Sequence, residues 1–238
     1  MKTLVYTISN FSPNASDCID LMYSSLKINK NTDFCVISNT NPPSNFRFKT
    51  ILDKRVSRDC YIGFLKYSDM VPNEYDQYVY LDSDILYFGE IDQLYSNKQL
   101  SIVRDHGSMT STWFYYKNHD LQDLDRMKIT QAVNAGSFAF KDISFLKRVR
   151  SLYEPHIEHN LVNNAILEQA SFNYVIAKIG NFSFEHFHDL TDISLLYASK
   201  KELVENKYLY HFCGFKNSMI EKYQEMKILY DKYQRKNS

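Results

Sequence analysis

The chain has 238 residues, 44% of them hydrophobic, which is enough to close a sizeable core as one large domain or two small ones. Lysine plus arginine and aspartate plus glutamate balance at 28 each, so no overall field draws the chain to nucleic acid or to an anionic membrane. Any anionic ligand must be held by a local site.

Thr3 to Ile8 reads as a first strand. The loop SNFSPNAS leads into a helix that Ser16 or Asn14 can cap, with Ile19, Met22, Tyr23 and Leu26 at helical spacing. Phe34 to Ser38 is a second strand, closed by the loop NTNPPSN. This strand, helix, strand unit predicts a parallel sheet with a right-handed crossover. A short strand near Phe48 to Leu52 follows, then a helix over Asp59 to Met70 that is stopped by Pro72.

The stretch DQYVYLDSDILYF is the most informative. Tyr78 to Leu81 is a short apolar and aromatic run that predicts a buried strand, and it delivers Asp82 and Asp84 to its carboxyl end. In open α/β sheets ligands bind outside that end of the strands. Two carboxylates beside Leu81, Ile85 and Leu86 would be costly without a compensating charge, so a hard divalent cation, able to hold a diphosphate on its other face, is the natural partner. A second pair with the same spacing, Asp123 and Asp125, lies in the polar, helix-compatible stretch HDLQDLDRMK with no strand before it, and reads as a solvated face.

Ile91 to Ser96 is a short helix and Leu100 to Val103 a strand. Trp113, Phe114, Tyr115 and Tyr116 then cluster in a segment that reads either as an acceptor-side loop or as a packed hairpin. QAVNAGSFAFKD is a strand, DISFLKRVRSLYE and AILEQASFNYVIAK are helices, NKYLYHFCGFK is a strand running into a glycine turn, and Ser218 to Lys236 is a helix of mixed charge. No linker or repeat interrupts the chain, and both halves are expected to share one sheet. Cys18, Cys35, Cys60 and Cys213 form no Cys-x-x-Cys pair and read as free thiols of a reducing compartment. The opening residues reach Ser9 and Asn10 too early to supply a signal-peptide apolar region, and no stretch approaches a membrane span. The expected location is cytoplasmic, with at most peripheral membrane contact through the tail helix.

Four separated segments, YLDSD, NAGSFAF, EQASFN and HFCGFK, resemble in order and approximate spacing the motif set of GT-A glycosyltransferases, most closely family 8, which includes glycogenin and bacterial lipopolysaccharide glycosyltransferases. The resemblance implies a single α/β GT-A domain over 1–238, with a Rossmann-like, mixed and mostly parallel sheet flanked by helices. Residues 1–105 would form the nucleotide-sugar half, and 106–238 the acceptor-side half with the terminal helix. It implies transfer of a hexose from a UDP-sugar to a glycan, glycolipid or glycoprotein acceptor with retention of configuration. Asp82, Asp84 and His211 would ligate Mn²⁺, with Mg²⁺ as the alternative, an oxygen and nitrogen set that suits manganese better than calcium. Taken alone, His211 reads as an ordinary histidine of an aromatic strand.

Lys216 would reach the diphosphate as a point charge, unless it is a plain surface lysine. Asn134, Ala135 and Gly136 would border the donor sugar, their small size permitting close approach, where the residues themselves also allow a strand bulge. Glu168 could bind donor hydroxyls and Gln169 would lie under the anomeric carbon; both also suit a helix start. Lys66 would touch sugar or phosphate, unless it is a plain helix-surface charge, and Ser83 falls between the two acids. Thr7, Ser9 and Asn10 stand where the family has an acidic turn against uracil, so the base is implied less directly than the diphosphate. The turn before Lys216 is one residue short and lacks the family's Pro-Trp, and Glu168 replaces an aspartate. A sugar-nucleotide pyrophosphorylase would want a glycine-rich loop after the first strand, which FSPNAS lacks. A non-catalytic carbohydrate-binding scaffold on the same fold is the other alternative.

Overall fold

Strand β1 (Thr3–Ser9) is buried at every position, which a strand achieves only between neighbours and with both sheet faces covered. In the computed structural model it lies inside a seven-stranded sheet. The structure describes residues 1–55, 59–94, 100–108, 131–159, 172, 176, 184–186, 194–195, 208–212 and 219–238. β2 (Thr32–Ser38) and β4 (Gln77–Leu81) flank β1 in parallel, and β3 (Lys49–Leu52) continues in parallel beyond β2. β7 (Gln131–Phe140) runs antiparallel to β4, β6 (Leu100–Ser108) antiparallel to β7, and β8 (Phe184–His186) parallel to β6. The order β3-β2-β1-β4-β7-β6-β8 is the mixed, mostly parallel α/β sheet that the family resemblance implies.

Side-chain alternation assigns the two faces. Tyr78 and Tyr80 of β4 point to one core with Phe138 and Phe140 of β7, while Val79, Leu81 and Ala139 point to the other. Cross-strand rings stack where the register places them opposite: Tyr78 on Phe140 with centroids 4.9 Å apart, and Tyr80 on Phe138 at the same 4.9 Å. A 3-10 helix (Asp59–Tyr67) and α2 (Ser144–His159) cover the aromatic face through Phe64, Leu65, Phe145 and Leu146. The first helix, α1 (Ala15–Ser25), and the last, α3 (Met219–Asn237), cover the opposite face through Ile19, Met22, Met226 and Leu229.

The local departures have physical causes. The helix expected over Asp59 to Met70 is a 3-10 helix that ends at Tyr67. Gly63 and several aromatic residues give it low α-propensity, and the tighter winding aligns Phe64 and Tyr67, three apart, on the core. Asn14 does stand at the start of α1, but in the left-handed region (φ 65°) with no side-chain capping bond; its amide donates to Asp17 at 3.2 Å instead. The strand carrying His211 does not join the large sheet. β5 (Ile85–Tyr87), β9 (Ser194–Leu195) and β10 (Leu209–His211) form a second sheet in the order β5-β10-β9, with β10 antiparallel to β5. The aromatic segment at Trp113, the pair Asp123 and Asp125, and the helix expected over 165–178, apart from Phe172 and Ile176, lie outside the described residues. Among the described residues no helix is long and apolar enough to cross a membrane.

Candidate metal and donor site

β4 ends at Leu81, and the next peptide turns sharply. The Asp82 carbonyl accepts the Ile85 amide at 3.1 Å, which bends the chain around Ser83 and Asp84 and returns it as β5. Two further backbone bonds anchor this turn. The Asp82 amide donates to the Gly136 carbonyl on β7 at 2.7 Å, and the Phe212 amide, just past β10, donates to the Asp84 carbonyl at 2.9 Å. Strand ends far apart in sequence therefore meet at one point.

The Asn-Ala-Gly segment is a local irregularity of β7. Along the β6–β7 ladder the partner shifts from Phe138, opposite Ile102, to Asn134, opposite Val103, so Ala135, Gly136 and Ser137 bulge out of the regular pairing. The Asn134 side-chain oxygen accepts the Gly136 amide at 2.8 Å and holds the bulge. A Cβ on Gly136 would lie 2.4 Å from His211 Cε1, 2.7 Å from Asp82 Oδ2 and 2.9 Å from Asn134 Oδ1. Only glycine leaves that cradle open.

Three groups meet beside it. His211 Nε2 lies 3.3 Å from Asp84 Oδ1 and 3.6 Å from Asp82 Oδ2. One donor atom from each of Asp82, Asp84 and His211 falls within 4.8 Å of the others. Two lysines stand behind the acids. Lys66, at the end of the 3-10 helix, is buried; its Nζ sits 3.2 Å from Asp82 Oδ1 and donates to the Ala135 carbonyl at 3.2 Å. Tyr6 donates to the Lys66 carbonyl at 2.8 Å, and Tyr80 donates to Asp82 Oδ1. Lys222 of α3 donates to Asp84 Oδ2 at 2.6 Å.

The electrostatics follow from this packing. Burial would push the Asp84 carboxyl up, but Lys222 and His211 outweigh it and hold the group below the usual carboxylate range. Burial would likewise lower His211, yet Asp84 and then Asp82 raise it above the ordinary imidazole value. The site thus attracts positive charge. Two carboxylate oxygens, an imidazole nitrogen and a cradle kept clear by Gly136 fit a divalent ion. His211 Nδ1 is buried and has no hydrogen-bond partner among the described residues.

The structure brings Asp82, Asp84, His211, Lys66, Asn134, Ala135 and Gly136 together, with Ser83 half-buried in the turn between the acids. Thr7 and Ser9 lie at the carboxyl end of β1, the first fully buried with an unpartnered hydroxyl among the described residues, the second accepting the Phe11 amide at 2.9 Å. Asn10 follows, and its side chain accepts the Ser12 amide at 3.1 Å. Glu168, Gln169 and Lys216 lie outside the described residues. Two participants were not singled out from the sequence. Tyr80 was findable, because a residue two before Asp82 shares its strand face; Lys222, one of several lysines on a mixed-charge helix, carries no local signal.

No family model matches the chain, and no curated protein is similar to it. Among solved structures it is similar to a glycosyltransferase involved in the glycosylation of the major capsid of PBCV-1, at 14% identity and TM-score 0.59, over 96% of this chain and 100% of that one. It is also similar to the glycosyltransferase GlyE of Streptococcus pneumoniae TIGR4, at 12% identity and TM-score 0.55 for the apo form and 11% and 0.54 for a second structure. All of this chain is covered there, but it spans only 64% of GlyE. At these identities the likeness is one of fold.

Proposed function

We propose that the chain is a divalent-metal-dependent glycosyltransferase, a divergent relative of family 8, that moves a hexose from a UDP-sugar to a glycan, glycolipid or glycoprotein acceptor with retention of configuration. One observation carries the reading: Asp82, Asp84 and His211 converge at the carboxyl end of the central strand beside a cradle that a single methyl group on Gly136 would fill. The fold shared with structures of glycosyltransferases supports it.

Asp82, Asp84 and His211 would hold Mn²⁺ or Mg²⁺. Bound there, the ion supplies charge neutralisation for the diphosphate leaving group. Lys66 orients Asp82, and Asn134 holds the bulge so that Gly136 leaves room for the donor. Thr7, Ser9 and Asn10 stand at the β1 end where the nucleoside would lie, and Lys216 is assigned to the diphosphate. By the family resemblance Gln169 lies beneath the anomeric carbon and Glu168 on the sugar hydroxyls. A glutamine is a poor base, so the acceptor's proton passes to the departing phosphate and the protein acts by positioning and electrostatic stabilisation. In this reading residues 1–105 serve the donor and 106–238 the acceptor, in the cytoplasm.

The test is joint binding. With UDP and Mn²⁺ about a hundredfold above the dissociation constant, stabilisation of about 2.7 kcal/mol is expected, a melting shift of roughly 5 to 10 °C for a chain of this size. Either alone should do less. A folded protein whose melting temperature ignores the pair would point instead to a carbohydrate-binding scaffold.

A further inference from the structure

We propose that Lys222 is a positioning residue of this site: it engages one oxygen of Asp84 so that only the other faces His211, and it keeps a fixed positive charge beside the bound ion. This rests on the metal and diphosphate reading above.

The two acids are engaged in the same way. Asp82 gives Oδ1 to Lys66 and Tyr80, and its Oδ2 faces His211 and the Gly136 cradle. Asp84 gives Oδ2 to Lys222, and its Oδ1 faces His211. Each carboxylate therefore presents a single oxygen to the site, with its second oxygen engaged by a lysine. The pairing of Lys222 with Asp84 is not incidental to α3. A lysine in the first turn of a helix opposes the helix dipole, so the helix itself disfavours it there. Its side chain is only 21% exposed, and its partner Asp84 only 9%. The helix that carries it is also firmly seated. Met226 and Leu229 are buried, Tyr233 stacks on Phe88 with centroids 3.9 Å apart, and the Met219 carbonyl meets Cys18 Sγ at 3.7 Å. Lys222 is thus delivered to Asp84 by packing across 138 positions of chain.

The charge count gives this a functional sense. Lys66 sets a positive charge against Asp82 and Lys222 one against Asp84, so each lysine offsets part of the negative charge that a divalent ion would meet and leaves more of the ion's charge for the diphosphate. Without Lys222 the site would bind the bare ion better and the diphosphate worse. A residue that merely pins α3 could not give effects of opposite sign.

The experiment compares the parent with Lys222→Met and Lys222→Arg, with Lys222→Gln replacing the methionine variant if that one does not fold. Mn²⁺ binding alone is read by the electron paramagnetic resonance of the free ion, and UDP binding by calorimetry at saturating Mn²⁺. The neutral variant should bind Mn²⁺ about tenfold more tightly and UDP about tenfold more weakly, while the arginine variant keeps both within about twofold. Any other pattern, including two changes in the same direction or none, overturns the proposal. If the parent itself binds no Mn²⁺, the site reading falls and this inference with it.

Discussion

At the residue scale, the two acids of one motif differ in kind. The Asp82 side chain is 24% exposed, Asp84 only 9%, so the first is open to a ligand while the second is buried among Lys222 and His211, whose charges offset its burial. Gly136 is the complementary feature, since an added Cβ would collide with three side chains of the site. Gly136→Ala is therefore expected to cost about 1–3 kcal/mol of stability through overpacking, and to weaken Mn²⁺ binding at least about tenfold by displacing His211 and Asp82. Differential scanning fluorimetry and Mn²⁺ titration check the two effects separately. An alanine variant that melts and binds like the parent would mean that the cradle relaxes freely.

At the scale of elements, a second ion network fixes the layer from which Lys66 projects. Asp53, just past β3 and wholly buried at its side chain, accepts from Arg55 at 2.7 Å and from Ser68, two residues beyond Lys66, at 2.7 Å. Arg150 of α2 lies 3.8 Å from it and 3.3 Å from Asp69. Burial would raise the Asp53 carboxyl, but the bonds from Arg55 and Ser68 outweigh it and hold the group below its ordinary value. Because the folded value is the lower one, the stabilisation is present above the unfolded pKa of about 3.9 and is lost as pH falls through the folded value. Asp53→Asn should cost about 2 kcal/mol at neutral pH, and the gap to the parent should close below about pH 4. Melting curves of both proteins from pH 7 down to pH 3 measure this. A gap that stays constant across that range would show that the carboxylate charge is not its source.

At the scale of the whole molecule, the site is assembled by the carboxyl-terminal stretch returning to the amino-terminal half. β10 lays His211 beside β5, the Phe212 amide fastens to Asp84, and α3 packs against α1 and brings Lys222. Transfer in the proposed reading needs both halves at once, the donor on the β4 end and the acceptor approaching from the second half. Its stereochemistry is the global readout. From an α-linked UDP-sugar the product should carry an α-linkage by proton NMR, because the acceptor attacks from the face that the leaving diphosphate vacates. A β-linked product would refute retention and leave the metal site untouched.

The elements legible in the sequence are those whose burial is set locally. The continuous apolar and aromatic run of Tyr78 to Leu81 predicts a strand buried on both faces, and the two acids after Leu81 mark the ligand end, because a strand's two faces follow from its own period of two. Asn134 to Gly136 allow a bulge by their composition, and the register against β6 forms it. Tertiary structure alone decided the rest. That His211 joins a separate three-stranded sheet, that Lys66 takes Asp82, and that Lys222 takes Asp84 all depend on contacts between segments remote in the chain. Such pairings are settled by how helices and sheet edges pack, and the buried carboxylates then select whichever cations the packing has brought within reach.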